Sequence, residues 1–230
     1  MTWSPSKVVI VGASGGIGSA FVEAAQSRYG QAQIIPLSRS AGSLDYGDEG
    51  SICAAAEKIG AGVDLIIVAT GLLHTPDFGP EKAMRYLEAD NLAQTYLVNT
   101  IGPALVMKHF LPLMPRDDKS VFAALSARVG SISDNHIGGW YGYRSAKAAL
   151  NQMIRTASIE HGRRWKESAV IGLHPGTVDT DLSKPFQSNV AEGKLFTADF
   201  AAEKMLDVID GVGASATGKV FAWDGQEVPA

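Results

Sequence analysis

The chain has 230 residues, 46% of them hydrophobic and 19% charged, which suits one α/β domain around a single core and excludes a disordered polymer. Lysine and arginine total 20 against 24 aspartates and glutamates, a net charge of -4, so a nucleic-acid or membrane-surface binder is not expected. Cys53 is the single cysteine, which excludes an intrachain disulfide and a cysteine metal cluster and suits a reducing compartment.

The opening Met-Thr-Trp-Ser-Pro-Ser-Lys has no charged leader followed by a long apolar stretch. No uninterrupted apolar run approaches the ~20 residues that a membrane span needs, and a cytoplasmic protein is expected. Residues 7–11 form a continuous β-branched apolar run ending at glycines, the pattern of a strand buried on both faces. A helix follows from 17 to about 29, with Gly30 as its C-cap. Residues 33–37 read as a second strand, and Pro36, which has no N–H, places it at or near an edge.

Residues 48–58 read as a helix and 63–69 as another buried strand. A long helix is expected over 96–113, then a strand over 120–125 and a helix from Tyr143 to about Glu160. Residues 168–173 form the next strand, 197–209 a helix and 218–223 the last strand. Strands alternating with helices predict a parallel, doubly wound sheet whose ligand crevice lies at the carboxyl ends of the strands. Only residues 38 to 43 separate Leu37 from Leu44, whereas a parallel crossover needs about a dozen. Residues 43–46 are therefore expected to be loop, leaving six main strands in a single domain over 1–230.

Several segments carry chemistry. Gly12-Ala-Ser-Gly-Gly-Ile-Gly18 lies between the first strand and its helix, where Gly12 permits a tight turn and Gly16 and Gly18 permit close backbone approach. Such a turn cradles a dinucleotide pyrophosphate, with Ser14 and Ile17 in the same loop. After the second strand stand Ser38 and Arg39 where a carboxylate would select NAD; a hydroxyl and a guanidinium suit a 2′-phosphate, so NADP(H) is preferred over NAD(H). Asp45 suits either the adenine amine or a turn or helix cap. Ala69-Thr70-Gly71, after the central strand, lets backbone pass close under the adenosine half.

Tyr143 and Lys147, four apart, share one helix face. An unperturbed phenol has a pKa near 10, and a neighbouring ammonium is expected to lower it toward useful acid/base exchange with a carbonyl or alcohol. Tyr141 has only Ser145 four positions on. His74, His109, His136, His161 and His174 are scattered with no carboxylate or cysteine at ligand spacing, and no metal site is expected; His74 and Trp140 are candidates to border the substrate pocket.

In this order, Gly12 to Gly18, Ala69 to Gly71, Asn99, Ser126, Tyr143, Lys147 and Pro175-Gly176 make the chain resemble a short-chain dehydrogenase/reductase over essentially its whole length. The stretch Leu125-Ser-Ala-Arg-Val-Gly-Ser-Ile-Ser-Asp-Asn and the following Gly-Gly-Trp-Tyr-Gly-Tyr-Arg-Ser-Ala-Lys look most like the C-factor/sniffer branch. The resemblance implies a Rossmann-type fold and a small-molecule carbonyl or alcohol substrate. Lys147 would also hold the nicotinamide ribose, and Asn99 would support a proton relay through water. Pro175, Gly176 and Thr180 would line the nicotinamide, residues 182–196 would form a lid, and the protein would assemble as a homodimer or homotetramer.

The chain departs from the family at the catalytic serine, because alignment on Gly130 puts Ala127 at that position. Ser126 is the nearest hydroxyl, on a strand whose neighbours alternate faces, and Ser131 and Ser133 stand in reserve. The departure keeps a second reading open, a dinucleotide-binding signalling or regulatory protein of the same fold with little turnover.

Overall fold

The computed structural model describes residues 3–230, the side chain of Asn189 excepted; Met1 and Thr2 of the opening stretch lie outside the described residues. The first half contains β1 (Lys7–Val11), α1 (Gly16–Arg28), β2 (Gln33–Leu37), α2 (Glu49–Ile59), β3 (Leu65–Val68), α3 (Ala89–Tyr96) and α4 (Gly102–Phe110). The second contains β4 (Ser120–Leu125), α5 (Tyr141–His161), β5 (Ser168–His174), β6 (Thr177–Val178), β7 (Leu195–Phe196), α6 (Ala198–Gly211) and β8 (Val220–Ala222).

Six strands form one parallel sheet in the order β2-β1-β3-β4-β5-β8, the doubly wound Rossmann-type arrangement the alternation predicts. β6 and β7 pair separately. The central strands are apolar on both faces because helices cover both. Val8 and Ile10 pack toward α1 and α6, while Val9 and Val11 pack toward α2 and α4. Chain direction across the sheet reverses between β1 and β3, which opens a crevice at their carboxyl ends.

Pro36 lies in β2 at the sheet edge, as its missing donor requires. The stretch from Leu37 to α2 contains no helix, only a bridge between Asp45 and Asp48. Two expectations change. Gly30 does not take the left-handed conformation of a C-cap; α1 closes on Tyr29, whose N–H reaches the Ala25 carbonyl. The helix expected over 96–113 starts at Ala89 and passes through a wide turn at Leu97–Ile101, where the Gly102 amide reaches back five residues to Leu97. Pro103 has no N–H to give the Asn99 carbonyl four residues earlier, so regular α pairing fails there.

Candidate active site

The glycine loop is built by backbone contact. The amides of Gly12 and Ala13 both donate to the Leu37 carbonyl, at 2.8 and 3.1 Å, which ties the loop to the end of β2. Gly12 has φ +86, and a Cβ there would stand 2.8 Å from Thr70 Cγ2. A Cβ on Gly18 would stand 2.0 Å from the Gly12 carbonyl oxygen, and one on Gly16 would stand 2.7 Å from Thr180 Cγ2. α1 is preceded by Gly15 as its N-cap, with no side-chain cap and no acidic residue in its first turn, so its N–H groups and partial positive charge face the crevice. Ser14 and Gly15 line the cleft, while half-buried Ile17 packs toward the α1 side of the core.

A cleft of about 650 Å³ runs from this loop along the carboxyl ends of β1 and β3. Ser38, Arg39, Ser40, Asp45, Tyr46, Ala69, Gly71, Leu97 and Val98 are among the residues that line it. Ser38 is buried and held in a serine-rich turn, its hydroxyl 3.1 Å from Ser40 Oγ and its N–H donating to Ser43 Oγ. Arg39 is exposed on the rim. Asp45 Oδ1 accepts the Gly47 N–H, the turn alternative for that residue, while the residue also faces the cleft. Tyr46 was not foreseen from sequence: its hydroxyl meets Thr70 Oγ1 at 2.9 Å, and its ring occupies the space that a Cβ on Gly102 would need.

Tyr143 and Lys147 share one face of α5, with Lys147 Nζ 5.7 Å from the centre of the phenol ring. Lys147 is 2% exposed and donates to the Leu125 carbonyl at 2.7 Å. Gly130 allows this approach, because a Cβ there would stand 2.8 Å from Lys147 Cβ. The electrostatics differ from the sequence expectation. Burial pushes the Tyr143 phenol up to about 12 and the Lys147 amine down to about 7. Desolvation of both groups, not attraction between them, is the cause.

The serines are deployed elsewhere. Ser126, the first-choice oxyanion donor, is buried and gives its hydroxyl to Asn151 Oδ1 at 2.6 Å, two turns of α5 beyond Tyr143. Its side chain follows Phe122 and Ala124 to the α5 face of β4, as strand alternation dictates. Ser131 and Ser133 both turn to the carbonyl of Ala230. Ala127 is buried and offers no hydroxyl. The Asn99 side chain is likewise committed: Oδ1 accepts the Leu72 N–H, and Nδ2 donates to the carbonyls of Leu72 and Thr95. It staples the loop after β3 to the wide turn and leaves no side-chain donor for a water relay.

Above Tyr143 lies an aromatic wall that sequence pattern did not reveal in full. Trp140 meets Tyr143 edge-on with ring centres 6.3 Å apart, Phe186 meets Trp140 at 5.2 Å, and His74 meets Phe186 at 5.8 Å. His74 Nε2 also lies 3.1 Å from the Asp181 carbonyl. Leu182 Cδ1 is 3.5 Å from where a Cβ on Gly71 would be. The segment after Thr180 thus lies down on the crevice at its Tyr143 end. Pro175 and Gly176 lead into it; Gly176 has φ +78, and a Cβ there would stand 2.7 Å from the Phe196 ring.

A family model for short chain dehydrogenase matches residues 6–191. The chain belongs to the short-chain dehydrogenase family. It is 34% identical over 139 residues to C-signal of Myxococcus xanthus, a match that covers 60% of this chain and 78% of that protein. The NADPH-bound carbonyl reductase from chicken fatty liver has the same fold, with a TM-score of 0.79 at 23% identity over 99% of this chain and 95% of the other. Carbonyl reductase Sniffer of D. melanogaster gives 0.80 at 18% identity over 98% and 100%. The short-chain dehydrogenase is thus an oxidoreductase.

Proposed function

We propose that this short-chain dehydrogenase interconverts a small-molecule carbonyl and alcohol with NADP(H), using Tyr143 as the acid/base. The observation that carries this reading is the pairing of Tyr143 with buried Lys147 on one face of α5, in a fold whose cleft at the ends of β1 and β3 is a glycine-built cradle. The cradle fits a dinucleotide: uncapped α1 amides suit the pyrophosphate, and Gly12 and Gly18 leave the backbone close approach. Ser38 and Arg39, with no carboxylate at the end of β2, suit a 2′-phosphate. When bound, NADPH supplies the hydride that reaches the carbonyl carbon.

Tyr143 Oη gives its proton to the carbonyl oxygen as the hydride arrives. With its pKa raised to about 12, the phenol is protonated at neutral pH, the form that can donate to a carbonyl oxygen. Lys147, its amine lowered to about 7 by burial, holds the nicotinamide ribose with the donors that Leu125 leaves unused. Thr180 and Gly176 border the nicotinamide, and the segment after Thr180 closes over the substrate. Exposed Ile101, Met153 and Ile159 support association as a homodimer or homotetramer.

Ala127 and the likeness to C-signal favour a second reading, a dinucleotide-binding regulator with little turnover. NADPH consumption across aldehydes, ketones and quinones separates the two. Turnover is expected, falling roughly 10²- to 10⁴-fold in Tyr143→Phe, the span of general acid catalysis. Tight NADPH binding with no turnover on any of them would establish the regulator instead.

A further inference from the structure

The helix that carries Tyr143 has no cap of its own. α5 begins after Trp140, which offers no side-chain oxygen, and its first turn contains no acidic residue. A 21-residue helix therefore starts with unsatisfied N–H groups and an uncompensated partial positive charge. Glu81, in the loop between β3 and α3 and 61 positions before Gly142, fills both gaps. Its Oε2 accepts the Gly142 N–H at 3.0 Å, and its main-chain carbonyl accepts the Trp140 N–H at 2.6 Å. The carboxylate is lodged tightly: Glu81 is 9% exposed, and a Cβ on Gly142 would stand 2.8 Å from Oε1.

Trp140 explains the arrangement. It is the only non-glycine residue with positive φ among the described residues, at +53, and follows Gly138 and Gly139 at +70 and +66. A helix needing only a cap would carry Ser, Thr or Asp at this position. Here the position holds an indole in a disfavoured backbone conformation, pressed against the Tyr143 ring and against Phe186. The cap comes from another part of the chain, and the same residue pins the tryptophan.

We propose that Glu81 is a positioning residue for the reaction: by capping the catalytic helix and holding Trp140, it sets where the Tyr143 hydroxyl meets the substrate. This inference rests on Tyr143 being the acid/base. In the full-length protein, Glu81→Ala is expected to lower kcat by roughly 10- to 100-fold through misplacement of the phenol. The NADPH Kd should stay unchanged, because Glu81 does not line the open cleft. Glu81→Gln keeps an oxygen for the Gly142 N–H and should restore most of kcat. Wild-type kcat in Glu81→Ala overturns the proposal, as does an equal loss of kcat and NADPH affinity with no rescue by glutamine.

If Glu81→Ala fails to fold, Gly142→Ala takes its place, since the added methyl displaces the carboxylate without removing it. Wild-type kcat in that variant also overturns the proposal. A readout without turnover separates this inference from the reductase reading. In fluorotryptophan-labelled protein, the Trp140 resonance, assigned with Trp140→Phe, should move in Glu81→Ala and return in Glu81→Gln. An unmoved resonance removes the positioning role, whereas a moved resonance in a protein that turns over nothing keeps the contact and removes the reductase reading.

Discussion

The two ends of the crevice are made of different material. The end under β1, β2 and β3 is backbone: glycine turns, uncapped amides of α1 and a serine-rich loop, open as a cleft. The end at Tyr143 is side chain: a buried lysine, a strained tryptophan and rings from three separate segments, closed by the stretch after Thr180. A backbone-built cradle is complete before any ligand arrives. A side-chain-built site holds its groups desolvated, and their proton affinities move in consequence.

Arg39→Ala should break the contrast most visibly if it is wrong. Loss of a charge-assisted contact of ~1.5–3 kcal/mol predicts roughly a 10- to 100-fold rise in the NADPH Kd, with the NADH Kd unchanged. Titration by cofactor fluorescence measures both, and an equal effect on the two would mean that the open end does not read the 2′-phosphate.

The closed end is probed by pH. The Lys147 amine falls from 10.5 to about 7 on folding, so between these values the unfolded chain binds the extra proton and stability rises with pH. The slope is about 1.4 kcal/mol per pH unit, or roughly 3–5 °C in Tm for a chain of this size. It is read as the difference between wild type and Lys147→Met from pH 7 to 10; a flat difference would mean that burial does not perturb the amine.

Phe186→Ala should have the smallest effect. It removes the edge-on contacts with Trp140 and His74, the former worth ~0.5–1.5 kcal/mol, so the KM for a carbonyl substrate should rise roughly 2- to 10-fold while the NADPH Kd holds. A loss of NADPH affinity instead would show that the two ends are not independent.

The open end was legible from residues 12 to 18 and from Ser38 and Arg39, because glycine spacing and a strand-end residue report directly on backbone geometry. The edge placement of β2 followed from Pro36 for the same reason. The wide turn at Leu97–Ile101 was foreshadowed by Pro103, yet its consequence, an Asn99 side chain consumed by Leu72 and Thr95, depends on a loop 27 residues earlier. Ser126 was the nearest hydroxyl in sequence and is turned to Asn151, because a strand alternates faces and its neighbour across the gap is set by packing.

The sequence alone determined the six-stranded sheet with its shortened connection after the second strand and the residue types of the Tyr143–Lys147 face, since each rests on local periodicity or spacing. Only the tertiary structure decided that Glu81 caps α5, that Phe186 and Trp140 wall the phenol, and that burial raises Tyr143 while lowering Lys147. Those facts depend on groups far apart in the chain being brought into one desolvated volume, and no local pattern encodes the dielectric of that volume.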